Sequence, residues 1–283
     1  MIEKRNNVIG HNIVDKEGLR YVFFIMKYLT QAQYDGFQKD GFLVIDDFLS
    51  GQEVQSAISG IEREKTAAAA APASADSGFH LEKAGDNSFD ANAAVKEPGM
   101  FRKIQGAVRV PELKDIFTSS KMVECMNDLM TSDDVYYHSS KVMFKPANGG
   151  AAKPWHQDAA YWRQFEPRQI TIWIALNDST EENGCIWVVP ASHKLGLIPH
   201  VKEEPQVEES ESLVDWSKKI AVPVKAGGLL IFHSLVLHMS HKNLSDKSRW
   251  AIICDYDSLP NPAVDSSAAP FVDDKGIWKL SAA

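Results

Sequence analysis

"QITIWIALND", residues 169 to 178, sets Ile170, Ile172 and Ile174 against Thr171, Trp173 and Ala175 with a period of two. That is the period of a β-strand, whose successive side chains leave opposite faces, so only one of the two sets can line a site. The same texture recurs on either side: "VYYHSSKVMFKP" before it, and "CIWVVP", "KIAVPV", "GGLLIFH" and "RWAIICDYD" after it. Turn-forming stretches such as "ANGG" and "TEENG" separate these runs. Strand after strand with no helix between them predicts an antiparallel sandwich or jelly roll, mainly β with helices at the periphery.

The helical patterns lie upstream. "LTQAQYDGFQKDG" reads as a short helix with Thr30 as N-cap and Gly41 as its stop, and "FLVIDDF" as a buried strand. "LSGQEVQSAISGIEREK" follows as a second helix, in which Ser50 and Glu53 have the spacing of a capping box. A further helical stretch surrounds "VPELKDIFTSSKMVECMNDLM". Between these helices, "TAAAAAPASADSGF" (66–79) is too poor in large apolar residues to offset its ordering entropy. A flexible insertion is therefore expected at about 66–97, either a linker or a lid over a site. Residues 1–28 are expected to form an N-terminal extension and 29–283 a single domain.

Lys plus Arg number 30 and Asp plus Glu 38, a net charge of −8, with no basic run able to neutralise a phosphate backbone. A nucleic-acid duplex is not an expected partner. Cys125, Cys185 and Cys254 are odd in number and widely spaced, which argues against a disulfide framework or a zinc knuckle and for a reduced, cytoplasmic protein. The apolar run "YVFFIMKYL" is shorter than a membrane span and has no signal-peptide layout, so no membrane association is expected.

The chemistry-bearing stretch is "PWHQDAAYW", residues 154 to 162. On an extended chain His156 and Asp158 share a face while Gln157 points away, so the pair can chelate one ion or form a hydrogen-bonded structural pair. One imidazole and one carboxylate, with no thiolate nearby, suit iron(II) if a second histidine completes the set. Three candidates stand together in "IFHSLVLHMSHKNLSDKSRWAI": His233, His238 and His241. In an extended chain His238 shares its face with Ser240, and the other two take the opposite one.

Taken together, "PWHQD", "ENGCIWVVPASHK" and "LHMSHKNLSDKSRWAI" resemble the phytanoyl-CoA dioxygenase family from about Leu29 to Asp257. That family comprises iron(II)- and 2-oxoglutarate-dependent oxygenases built on a double-stranded β-helix, a cupin-like jelly roll. The resemblance implies that His156, Asp158 and His238 are the iron ligands, His238 being followed by Ser240, Asn243 and Arg249 in the family's spacing. It implies that Arg249 binds the 2-oxoglutarate carboxylate, a role that suits a permanently charged guanidinium fork. Ser240 is expected to add a hydroxyl contact. Lys103, Lys141 and Trp173 fall at positions that line the cosubstrate pocket in relatives, although Lys141 also reads as a solvated strand lysine and Trp173 as core. Substrate contacts are expected from Gln157, Tyr161, Trp162 and Arg163, against the alternative that the two aromatics pack in the core or rim.

The implied reaction consumes O2 and 2-oxoglutarate, releases succinate and CO2, and hydroxylates an unactivated C–H bond of a small organic substrate, with ascorbate as an auxiliary reductant. Retention of Asp158 favours hydroxylation over halogenation, because related halogenases replace that carboxylate with a small residue. Desaturation and ring closure share the same chemistry. Two other readings stand beside this one: a non-catalytic binding protein on the same fold, and a cupin-like zinc or manganese enzyme without an oxoacid. The substrate and the oligomeric state stay open.

Overall fold

The computed structural model describes residues 8–15, 18–70, 79–82, 89–90, 101–148, 150–162, 166–200, 206–259 and 279–280. The chain starts with a hairpin of β1 (Val8–Asp15) and β2 (Gly18–Ile25), paired with each other over their full length. Immediately after it, the buried Asp128 carboxylate accepts the backbone amides of Lys27, Tyr28 and Leu29 at 2.7–2.8 Å, which fastens the entry into the domain.

The first helices form where their caps predict. Helix α1 (Gln31–Asp40) carries a capping box between Thr30 and Gln33 and stops at Gly41, whose φ of 81° is accessible to a residue without a Cβ. Strand β3 (Phe42–Ile45) follows, then α2 (Gly51–Ala70), where Ser50 and Glu53 exchange their capping hydrogen bonds. Helix α2 reaches Ala70, so residues 66–70, expected to be part of the insertion, are helical. A run of alanines, the best helix former, propagates a helix already nucleated upstream. Further along that stretch, β4 (Phe79–Glu82) pairs with β6 (Phe101–Gln105), and β5 (Phe89–Asp90) pairs with β4. The helical stretch before the barrel strands is two helices, α3 (Pro111–Phe117) and α4 (Ser120–Met130), broken at Thr118–Ser119.

The remaining strands are β7 (Val135–Lys145), β8 (Lys153–His156), β9 (Ile170–Ala175), β10 (Ile186–Val188), β11 (Ile220–Val222), β12 (Leu229–His233), β13 (His238–Ser240), β14 (Arg249–Asp257) and β15 (Lys279–Leu280). They form two antiparallel sheets. The major one runs β3-β12-β9-β14-β7-β6-β4-β5, with β15 also on β7, and the minor one β11-β10-β13-β8. This is the double-stranded β-helix, or jelly roll, expected of the chain.

Strand β9 shows why the fold needs two covered faces. All six of its residues are buried. Ile170, Ile172 and Ile174 join the core beneath α1 to α4, together with Phe37, Leu113 and Met126. Trp173 and Ala175 face the other way, into an apolar cluster built from both sheets: Leu230, Phe232, Ala251 and Ile253 of the major sheet against Ile186, Val188 and Val222 of the minor one. The helices thus cover one face of the major sheet and the minor sheet covers the other, which leaves the space between the sheets as the place for a site.

Candidate metal and cosubstrate site

Between the sheets lies a cavity of 330 Å³. Its minor-sheet wall holds the metal-type donors. Strands β8 and β13 are antiparallel neighbours with His156 directly opposite His238. Residues so paired bring their side chains together on one face, and the two imidazole centroids are 4.2 Å apart. Gln157 is extended (φ −113°, ψ 133°), so Asp158 returns to the face of His156 before the chain enters a turn of 3-10 helix, Asp158–Tyr161. Asp158 Oδ1 stands 3.6 Å from His156 Nε2 and 3.7 Å from His238 Nε2, and donor atoms of all three residues lie within 4.8 Å of one another.

Both imidazoles are oriented by their own strands. His156 Nδ1 donates to the Pro154 carbonyl at 2.8 Å and His238 Nδ1 to the Val236 carbonyl at 3.0 Å. A carbonyl can only accept, so the proton sits on Nδ1 and the Nε2 lone pair faces the cluster. Burial lowers both histidines, His156 to about 3, so both are neutral at pH 7. Burial would raise Asp158, but His238, His156 and Lys141 outweigh it and hold the carboxyl below its ordinary range. Two neutral imidazoles and one carboxylate are in the protonation states that metal binding requires, and their chemistry suits iron(II) with open positions.

The opposite wall is the inner face of the major sheet. Arg249, 2 % exposed, begins β14; its Nη2 donates to the Gly184 carbonyl at 2.5 Å and its guanidinium lies 5.1 Å from the Trp173 ring centroid. Its Nε is buried without a partner. Among the described residues no carboxylate neutralises it, and burial pulls it down only to about 10, which leaves it charged at neutral pH. An unmatched guanidinium with an orphaned N–H inside a cavity fits a ligand carboxylate. Gly184 is required beside it: a Cβ there would stand 2.5 Å from the His241 carbonyl oxygen. Lys141 lines the same wall; burial pulls its ammonium down, but Asp255 and Asp158 outweigh burial and raise it overall.

Most residues singled out from the sequence meet here. His156, Asp158, His238, Arg249, Ser240, Lys103, Lys141 and Trp173 all border this one cavity, as do Tyr161 and Trp162. Tyr161 is exposed, with Lys153 Nζ 5.3 Å from its ring, and Trp162 packs edge-on against His138 at 4.5 Å. Gln157 stands apart from them: it is fully buried and does not line the cavity. Its Nε2 donates to the carbonyls of Gly196 (2.8 Å) and Leu235 (2.7 Å), and its Oε1 accepts from Ile198 N (2.9 Å). The strand parity that aims its two neighbours at the cavity aims Gln157 away. Arg163 lies outside the described residues. Of the other histidines considered, His233 Nδ1 accepts from Leu235 N at 3.1 Å, and His241 stacks edge-on against Trp187 at 5.5 Å.

Thr171, Ser139 and Asp255 were not foreseen as site residues; Thr171 touches the metal donor Asp158, and Asp255 and Ser139 follow behind it. Thr171 Oγ1 is 3.0 Å from Asp158 Oδ2 and 2.9 Å from Asp255 Oδ1. The signal was parity: Thr171 alternates with Trp173 in "QITIWIALND", and Asp255 falls on the parity of Arg249 in "RWAIICDYD".

A jelly roll that encloses two histidines and a carboxylate on one wall and an unpaired arginine on the other defines the class of iron(II)- and 2-oxoglutarate-dependent dioxygenases. The chain belongs to the phytanoyl-CoA dioxygenase family within that class, whose model matches residues 37–251. It is 32 % identical to phytanoyl-CoA dioxygenase domain-containing protein 1 of Bos taurus, over 80 % of this chain and 89 % of that protein. It is 28 % identical to the methylphosphonate hydroxylase of Gimesia maris, over 82 % of each chain. Among solved structures, EctD from S. alaskensis with bound Fe superimposes with a TM-score of 0.65 at 19 % identity, covering 90 % of this chain and 85 % of that one.

Proposed function

We propose that His156, Asp158 and His238 hold the iron, that Arg249 with Ser240 and Lys141 holds the 2-oxoglutarate, and that the enzyme hydroxylates an unactivated C–H bond of a small organic molecule. The observation that carries this reading is the pairing, within one cavity, of the three-donor cluster with a buried guanidinium whose Nε lacks a partner. When bound, the metal and its oxoacid supply the oxidising power, consuming O2 and releasing succinate and CO2 for each hydroxylation.

The protein's own residues do the positioning. Arg249 offers a guanidinium fork whose orientation is fixed by the Gly184 carbonyl and the Trp173 face. Ser240, two residues beyond His238 on β13, brings a hydroxyl to the same space. Phe232, with its ring centroid 4.5 Å from that of His238, and Ile253 keep water from the apolar floor. Tyr161 and Trp162, following the metal pair directly, form the wall nearest solvent and are the proposed substrate contacts, which puts the incoming molecule beside the metal cluster.

No helix among the described residues is long and apolar enough to cross a membrane. The enzyme is proposed to act in the cytoplasm on a dissolved substrate.

The test is incubation of the purified protein with iron(II), 2-oxoglutarate and ascorbate, with succinate measured directly. Slow succinate release without added substrate, and a charge-transfer absorption that needs both iron and the oxoacid under anaerobic conditions, are expected. Absence of both, in protein that binds iron, would sink the cosubstrate assignment and favour a metal-binding jelly roll without an oxoacid.

A further inference from the structure

The two oxygens of Asp158 have different surroundings. Oδ1 faces the imidazoles at 3.6 and 3.7 Å, whereas Oδ2 meets the Thr171 hydroxyl at 3.0 Å. Behind that hydroxyl stands a ladder across three adjacent strands of the major sheet. Thr171 on β9 is the register partner of Asp255 on β14, and Asp255 in turn is the partner of Ser139 on β7. Thr171 Oγ1 stands 2.9 Å from Asp255 Oδ1, and Ser139 Oγ donates to Asp255 Oδ2; the Thr171 hydroxyl has one proton, so it donates to Asp158 or to Asp255 but not to both. Thr171 is 1 % exposed and Asp255 is fully buried, so the contacts of the Thr171 hydroxyl are shielded from solvent.

We infer that Thr171 is a positioning residue that gives its one hydroxyl proton to Asp158 Oδ2, Asp255 being served by Ser139, and so leaves Oδ1 as the single metal donor of the Asp158 carboxylate. The inference rests on the proposed ligand set. A free carboxylate can bind a cation through one oxygen or two, and the choice decides how many positions the protein takes up. With Oδ2 bound to the hydroxyl, His156, Asp158 and His238 would offer a metal three donor atoms in all and would leave it positions for other ligands. Thr171 reaches the carboxylate from the opposite sheet, so it also fixes the distance between the metal wall and the cosubstrate wall. Groups that orient a metal's ligands in this way change affinity when removed, by roughly 10- to 100-fold.

The test reads metal binding on the full chain without oxoacid or substrate. Manganese(II) is titrated calorimetrically into wild type, Thr171→Val, Thr171→Ala and Thr171→Ser, and cobalt(II) reports ligand number through its visible absorption. Thr171→Val should bind manganese(II) about 10- to 100-fold more weakly and change the cobalt band pattern, while Thr171→Ser, which keeps the hydroxyl, should restore both. A packing role alone would not give rescue by the smaller serine together with a changed cobalt spectrum. Wild-type affinity and an unaltered spectrum in Thr171→Val overturn the inference; should that variant not fold, Thr171→Ala carries the same two outcomes. Wild type that binds no manganese(II) overturns the ligand set itself, and this inference with it.

Discussion

The two walls of the cavity are built by different rules. The minor-sheet wall takes its precision from backbone. His156 and His238 sit opposite each other on short strands, and each donates Nδ1–H to a carbonyl two residues before it. The major-sheet wall takes its precision from side chains on long central strands: Arg249 against Gly184 and Trp173, and Thr171 against Asp255. One wall carries two neutral imidazoles with Asp158 and Lys153, and the other carries Arg249 and Lys141. The difference teaches that metal and cosubstrate binding can be separated by mutation of His156, His238 or Arg249, each of which takes its orientation from its own wall or loop, whereas Asp158 is held from across the cavity by Thr171.

His238→Ala tests the first wall and has the largest expected effect. Removing one of three donors should reduce metal affinity beyond the ~100-fold expected for an outer partner and abolish iron-dependent succinate formation. The neighbouring His233→Ala, which lies outside the cavity, should retain both. Calorimetry and a succinate assay check the pair.

Arg249→Ala tests the second wall. Truncating one partner of a buried, hydrogen-bonded charge pair costs about 2–5 kcal/mol, so the 2-oxoglutarate requirement should rise roughly 30-fold or more. Manganese(II) affinity measured without the oxoacid should not change. A parallel loss of metal binding would show that the walls are coupled after all.

This asymmetry also explains what the sequence revealed. The minor wall was legible because its determinants are local: two residues at strand spacing in "PWHQD", and a histidine and a serine at the same spacing in "LHMSH". Family resemblance then chose His238 among three histidines that spacing alone left open. Arg249 was legible through the family's spacing after His238 and because a guanidinium fork suits a carboxylate. The Ser139–Asp255–Thr171 ladder was not, since it depends on the register of three strands separated by long stretches of chain. Gln157 was less legible because its place between two ligands suggested the cavity, whereas parity directs it to the loop at Gly196–Ile198. The alanines at 67–70 carry the expectation of a flexible insertion because they are small, although those side chains favour helix.

Gln157 therefore offers a third test, now of stability. Gln157→Ala removes three hydrogen bonds, two of them buried, and strands the Ile198 amide and the Leu235 carbonyl. At about 1–3 kcal/mol for each unsatisfied buried group, a loss of at least ~2 kcal/mol is expected in urea unfolding. Since the clamp ties Asp158's strand to the turn before His238, metal affinity should fall with it, while Arg249 keeps its own partners. An unchanged unfolding midpoint would show that this loop is held by other contacts.

Acid should weaken the fold through its buried imidazoles, one on the metal wall and one outside the cavity. His156 is lowered to about 3 and His233 to about 4, mainly by burial, from an ordinary value of 6.5. The folded protein therefore keeps both rings neutral while the unfolded chain takes up protons as the pH drops below 6.5. Stability is then full above that value and declines below it, by up to ~1.4 kcal/mol per pH unit for each histidine, until the folded-state values are reached. Lys141 and Arg249 stay charged throughout this range and add no slope. Urea unfolding of metal-free protein between about pH 6.5 and 5, above the range where most carboxylates titrate, isolates the contribution. His233→Phe should reduce the slope by one histidine, and Arg249→Ala should leave it as it is. Equal slopes in all three proteins would mean that the buried imidazoles do not set the acid limit of the fold.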